Sequence, residues 1–100
     1  MFALVVRFDL RDPTSAERFD ALVGQLLPGI AAHEPSTLVY TVHTVHASPL
    51  SRVFYECYAD RDAFDEHERQ PHTADFLRDR EPLLSSTRVE FLTPTGGSGT

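Results

Sequence analysis

A chain of 100 residues has room for one domain with a modest core, and 41% hydrophobic with 24% charged residues at a mean hydropathy of −0.25 excludes both a disordered chain and a membrane span. A formal charge of −6, a pI near 5.2 and nine scattered arginines exclude a nucleic-acid partner, which would require clustered positive charge. Cys57 is the only cysteine, so no intrachain disulfide can form, and a reducing, cytoplasmic setting is expected. The apolar run from Phe2 meets Arg7 and Asp9 before a signal-peptide core is complete. Lysine is absent, which removes Schiff-base chemistry.

Ala3 to Leu10 alternates, with Leu4, Val6, Phe8 and Leu10 on one face, and predicts a first strand. Thr14 and Glu17 have the form of a capping box opening a helix over about 15–32, whose apolar stripe is Phe19, Leu22, Val23, Leu26, Leu27 and Ile30. Pro28-Gly29 inside that stripe predicts a kink or split. His33 to Ser36 reads as a turn, Thr37 to Val45 as a β-branched second strand, and Ala47 to Ser51 as a loop into a third strand, Arg52 to Ala59. Asp60 is placed to cap a second helical region over about 61–84, broken at Pro71 and loosened at Pro82. Arg88 to Thr93 predicts the last strand.

The order β-α-β-β-α-β is that of the ferredoxin-like fold, an α+β architecture in which one antiparallel sheet carries two helices on a single face. The domain is expected over 1–94, with 95–100 as a flexible C-terminal tail. The other sheet face carries Val5 and, whichever register strand three takes, either Val53, Tyr55 and Cys57 or Phe54 and Tyr58, which is apolar enough to predict a homodimer joined sheet to sheet.

Two stretches resemble the antibiotic biosynthesis monooxygenase domains of the dimeric α+β barrel superfamily, a likeness extending over about residues 3–94. Glu34-Pro35-Ser36-Thr37-Leu38-Val39-Tyr40 is similar to the family's Glu-Pro-Gly-x-Leu-x-Tyr, with Ser36 in place of glycine. Phe54-Tyr55-Glu56-x-Tyr58-x-Asp60 is followed by Ala63-Phe64-x-x-His67 and Pro71-His72-x-x-x-Phe76 in the family's spacing. The resemblance implies a cofactor-independent monooxygenase, without metal, flavin or haem, that oxidises a small aromatic, quinol-like or polyketide-like compound with molecular oxygen. It equally embraces isomerases and noncatalytic, dimeric ligand-binding or accessory proteins. The chain has no Asn or Trp, residues that some oxygenases of this kind use.

Oxygenation without a cofactor requires an electron-rich anion, so the protein must take a proton, stabilise the anion and exclude water. His67 is the candidate base, because an imidazole titrates near neutral pH. Glu56, if it faces the helices, is the candidate partner that holds the imidazole in one tautomer. The structural alternative is a hydrogen bond under the helix with no catalytic role. Tyr40, Tyr58, Phe64, His72 and Phe76 are the candidate substrate-binding residues, although aromatic rings also fill small cores. No metal site is expected: His67 and His72 are five residues apart, about 140° around a helix, which is not the spacing of a zinc helix. His43 and His46 fall on opposite faces of a strand. Cys57 alternates away from Glu56 and reads as a packed thiol.

Overall fold

The computed structural model describes residues 1–98, so positions 99 and 100 of the expected tail lie outside it. Strands β1 (Phe2–Leu10), β2 (Thr37–Val45), β3 (Ser48–Tyr58) and β4 (Leu84–Leu92) form one antiparallel sheet in the order β2-β3-β1-β4. Helices α1 (Pro13–His33), α2 (Arg61–Glu68) and α3 (Pro71–Arg80), with a 3₁₀ turn over Glu81–Leu83, complete the ferredoxin-like βαββαβ order, the second helical region being divided in two. No described helix is long and apolar enough to cross a membrane.

Strand alternation sets the core. Leu4, Val6, Phe8 and Leu10 turn to the helices and are buried, as are Phe54, Glu56 and Tyr58 from β3. Register aligns Leu4 with Glu56 and Glu56 with Tyr40, and one step along aligns Val6 with Phe54 and Phe54 with Val42. Phe19 from α1 and Phe76 from α3 close on this surface, with ring centroids 5.0–6.1 Å apart among Phe8, Phe19, Phe54 and Phe76. Arg52, also on the helix side, is buried with its guanidinium donating to both oxygens of Asp20 at 2.9 and 3.0 Å, which ties α1 to β3.

Several boundaries differ from those the sequence predicts. The cap of α1 is Asp12, whose Oδ1 accepts from the Ser15 N–H at 2.7 Å, and not the Thr14 and Glu17 pair; Pro13 takes the first helical position, where its missing N–H leaves nothing unpaired. The helix is not split at Pro28, which stands on the solvent side. Asp60 caps α2 as expected, accepting from the Ala63 N–H at 2.8 Å, and Pro71 opens α3. β3 begins at Ser48, four residues before the predicted start. Its pairing with β2 shifts register between Thr44 and Val45, and Pro49 lies in the irregular stretch that results. The link from β2 is therefore a tight turn through His46 and Ala47, the latter at φ 59°. β4 likewise begins early, at Leu84 and not Arg88.

Candidate functional site

The second face of α1 ends in a charge. Val23, Leu26 and Ile30 are its buried stripe, and four residues after Ile30 comes Glu34, also buried. Here the helix closes, with the Glu34 N–H donating to the Ile30 carbonyl, and the chain turns into β2. The Glu34 carboxylate is thereby fixed between α2, α3 and the start of β2. It accepts from His67 Nδ1 at 2.7 Å and from the Thr37 hydroxyl at 2.8 Å through Oε1, and from His72 Nε2 in a short contact through Oε2. Burial works against its charge, but the bonds from His72 and Thr37 and the adjacent His67 outweigh that penalty and hold the carboxyl below its ordinary pKa. An ionised carboxylate has no proton to give, so both imidazoles donate to it.

This decides the tautomer of His67. With Nδ1–H bound to Glu34, Nε2 carries the free lone pair of the neutral ring, and it lies 4.0 Å from Glu56 Oε1. The contact that the sequence assigns to Glu56 is made by Glu34; Glu56 stands on the opposite side of the ring, beyond hydrogen-bond reach. His67 is only 4% exposed, packed between the rings of Tyr40 and Tyr58 at 5.5 and 5.4 Å, with the Thr73 hydroxyl 3.5 Å from Nδ1.

Glu56 has a different environment. Its one strong bond is from the Tyr58 hydroxyl, 2.6 Å to Oε1. Burial pushes its carboxyl up to about 7, over the opposing effect of that bond and aided by the nearby charges of Glu68 and Glu34. Two carboxyl groups flanking one imidazole thus differ in charge state near neutrality, because one has three donors and the other one. Burial, with Glu56 beside them, raises the hydroxyls of Tyr40 and Tyr58 well above their ordinary range, so both remain protonated donors.

A cavity of about 160 Å³ opens beside this group, between α2, α3 and the sheet. That volume is comparable to one that admits a benzene ring. His67, Glu56, Tyr40, Phe64 and Phe76 line it, together with Leu4, Val6 and Phe54 from the sheet floor. Phe64 and Phe76 are both buried, as their helical phase predicts. Two of the candidate residues do not line the cavity: Tyr58 is wholly buried and meets the site through its bond to Glu56 and its ring beside His67, and His72 lies behind Glu34, against α1. His72 fits there because residue 29 is glycine; a Cβ at that position would come within 2.6 Å of the imidazole.

Sequence reasoning missed Glu34, Thr37, Thr73 and Arg80. The signal for Glu34 was an acidic residue in phase with the apolar stripe of α1, and for Arg80 a cation four residues after Phe76, on the same helical face. His33 and His43 are exposed and His46 lies in the β2–β3 turn.

The fold recurs among solved structures. Rv0793 of Mycobacterium tuberculosis is 25% identical, with a TM-score of 0.86 over 98% of either chain. PA3566 of Pseudomonas aeruginosa is 21% identical, with a TM-score of 0.83 over 95% of this chain and 94% of that one. A Lactobacillus acidophilus protein provisionally named a monooxygenase is 24% identical, with a TM-score of 0.86; the match takes in 92% of this chain but only 43% of the longer relative. No curated protein matches the chain. The sequence profile described as antibiotic biosynthesis monooxygenase matches residues 1–79, and the chain belongs to that family.

Proposed function

We propose that the protein is a cofactor-independent monooxygenase of small hydroxylated aromatic compounds, with His67 as the base. The observation that carries this reading is the orientation of a buried imidazole by an ionised Glu34, which leaves Nε2 as the proton acceptor beside an aromatic-lined cavity. His67 Nε2 takes the proton of a ring hydroxyl, and the imidazolium so formed is stabilised by Glu34. The phenolate passes an electron to oxygen, the radical pair combines at a ring carbon, and loss of water from the peroxide leaves a carbonyl. In the net reaction a ring C–H ortho or para to the hydroxyl becomes C=O, one oxygen atom enters the product, and the other leaves as water with two hydrogens from the substrate. The substrate supplies every electron. Glu56, with a carboxyl near 7, serves as the second proton site, able to return a proton to the departing oxygen. Tyr40, Phe64 and Phe76 hold the ring, Tyr58 acts through Glu56, and His72 acts through Glu34.

The working unit is proposed to be a cytoplasmic homodimer. Val5, Val53, Tyr55 and Val39 on the helix-free face support a sheet-to-sheet contact, for which a total burial above ~1,000 Å² is expected. Light scattering at micromolar concentration should return twice the chain mass; a stable monomer would remove this part of the reading.

The functional test is oxygen consumption with a panel of dihydroxyaromatic compounds, comparing the wild type with His67→Ala, folding being verified by circular dichroism. Turnover should fall by about 10²- to 10⁴-fold, the range for loss of a general base. Turnover that continues unchanged under argon would identify an isomerase using the same base. Absence of turnover with retained ligand binding would identify an accessory protein.

A further inference from the structure

Two arginines of this chain reach the helix side of the sheet, Arg52 buried and Arg80 half-buried, and they differ in what their guanidinium groups meet. Arg52 has its fork filled by Asp20 at 2.9 and 3.0 Å and donates further to the carbonyls of Pro49 and Ser51. Arg80, at the end of α3, has a side chain only 16% exposed, and its buried Nε has no hydrogen-bond partner among the described residues. Its ion-pair partner, Glu81, is 3.8 Å from Nη1, too far for a hydrogen bond, and is itself 77% exposed. The guanidinium lies over the Phe8 ring, 5.0 Å from the centroid, and 6.0 Å from that of Phe76, at the wall of the same cavity. The aromatic faces favour a cation but satisfy no N–H. A buried donor without a partner is costly, and it is tolerated in native proteins where a ligand or water supplies the acceptor.

We propose that Arg80 is the specificity-determining residue of the cavity and that its ligand is a single-ring aromatic carboxylate, with the carboxylate on the Arg80 fork and the ring against Phe76. A carboxylate matches the planar guanidinium in two parallel bonds, which a lone ring oxygen cannot do. The site also separates the two ends of such a molecule. Glu56 and His67 stand at the level of Leu4 on β1, while Arg80 stands over Phe8, four residues or about 13 Å further along the strand. A hydroxyl at the first position and a carboxylate at the second define a hydroxybenzoate-like ligand. The identity of the hydroxyl as the reacting group rests on the oxygenase reading; the role of Arg80 as the anion acceptor does not.

The test is isothermal titration calorimetry with 4-hydroxybenzoate and its uncharged analogue 4-hydroxybenzamide, on wild type and on Arg80→Met, which keeps the apolar stem over Phe8. The wild type should bind the acid roughly tenfold or more tightly than the amide, as a charge-assisted pair requires. In Arg80→Met the two should bind within about threefold of one another, with the affinity for the amide kept. If that variant does not fold, Arg80→Lys keeps the charge without the fork, and the preference for the acid should shrink without changing sign. A wild type that binds the amide as well as the acid, or binds neither at millimolar concentration, overturns the proposal, as does a preference that survives in Arg80→Met. An Arg80-dependent preference in a protein that consumes no oxygen would instead overturn the oxygenase reading and leave this one standing.

Discussion

The helix-facing side chains of β3 and β4 belong to one surface of one sheet, yet Phe54 and Tyr58 are 1% and 0% exposed while Val89 and Phe91 are 45% and 61% exposed. β3 is an inner strand beneath α2, its buried Glu56 and Arg52 are held by Tyr58 and Asp20, and its rings interlock with Phe19 and Phe76. β4 is an edge strand whose side chains reach past the last helix, so that Phe91 touches Phe2 and Phe64 only at the rim. The cavity lies between these conditions, with one wall held rigid by packing and hydrogen bonds and the other open at the edge of the sheet. An oriented base belongs on the rigid wall; a ligand can enter over the open one.

The largest expected contrast is in stability. Phe54→Ala should cost about 3 to 5 kcal/mol, because it leaves a cavity among four interlocked rings, whereas Phe91→Ala should cost less than about 1 kcal/mol. Urea denaturation of both variants measures the difference. An equal cost would mean that β4 is covered in solution, by a second copy or another partner, and the comparison of walls would then apply to the isolated chain alone.

Glu56 makes the rigid wall sensitive to pH. Its carboxyl is raised to about 7 in the folded protein and returns to an ordinary value near 4.5 on unfolding, so between these values the folded state binds the extra proton. Stability therefore falls as pH rises through that window, by an amount on the order of 3 kcal/mol at most. Glu34 has the opposite sign: its lowered pKa contributes stability that is present above the ordinary carboxyl value and is lost as pH falls below it. Unfolding free energies of wild type and Glu56→Gln between pH 5 and 8 isolate the first effect, and the variant should show the flatter profile. Parallel profiles would place Glu56 in contact with solvent and weaken its part as a proton site.

A smaller effect tests the support behind Glu34. Gly29→Ala should destabilise the protein by about 1 kcal/mol, since overpacking against the His72 ring outweighs the helix preference of alanine. In a His72→Ala background the sign should reverse, because the obstacle is gone and only the helix preference remains. Thermal unfolding of the four proteins of this cycle gives the answer; the same sign in both backgrounds would mean that His72 does not occupy the notch at Gly29.

Expectations that rested on local chemistry mostly agree with the structure, the capping box at Thr14 and the break at Pro28 being the exceptions. β2 spans Thr37–Val45 as its β-branched run predicts, Asp60 caps α2, and Pro71 opens α3. Expectations failed where a distant partner compensated for weak local preference. Ser85 and Ser86 have little strand character, but their hydroxyls donate to Asp9 and draw the start of β4 back to Leu84. Pro49 reads as a loop until the irregular register with β2 gives it a place where no ladder bond is required.

The sequence by itself determined the order of elements and which face of each strand and helix is apolar, because side-chain direction in a strand or helix repeats over two to four residues and needs no partner to define it. It thereby also determined that Phe64, His67 and Phe76 turn to one interior, whereas the face that carries Glu56 was settled only by the register of the sheet. Only the tertiary structure decided which acid orients His67. The choice between Glu34 and Glu56 depends on the packing of the end of α1 against α2, across a separation of 33 residues, where little more than an ångström distinguishes a hydrogen bond of 2.7 Å from a gap of 4.0 Å.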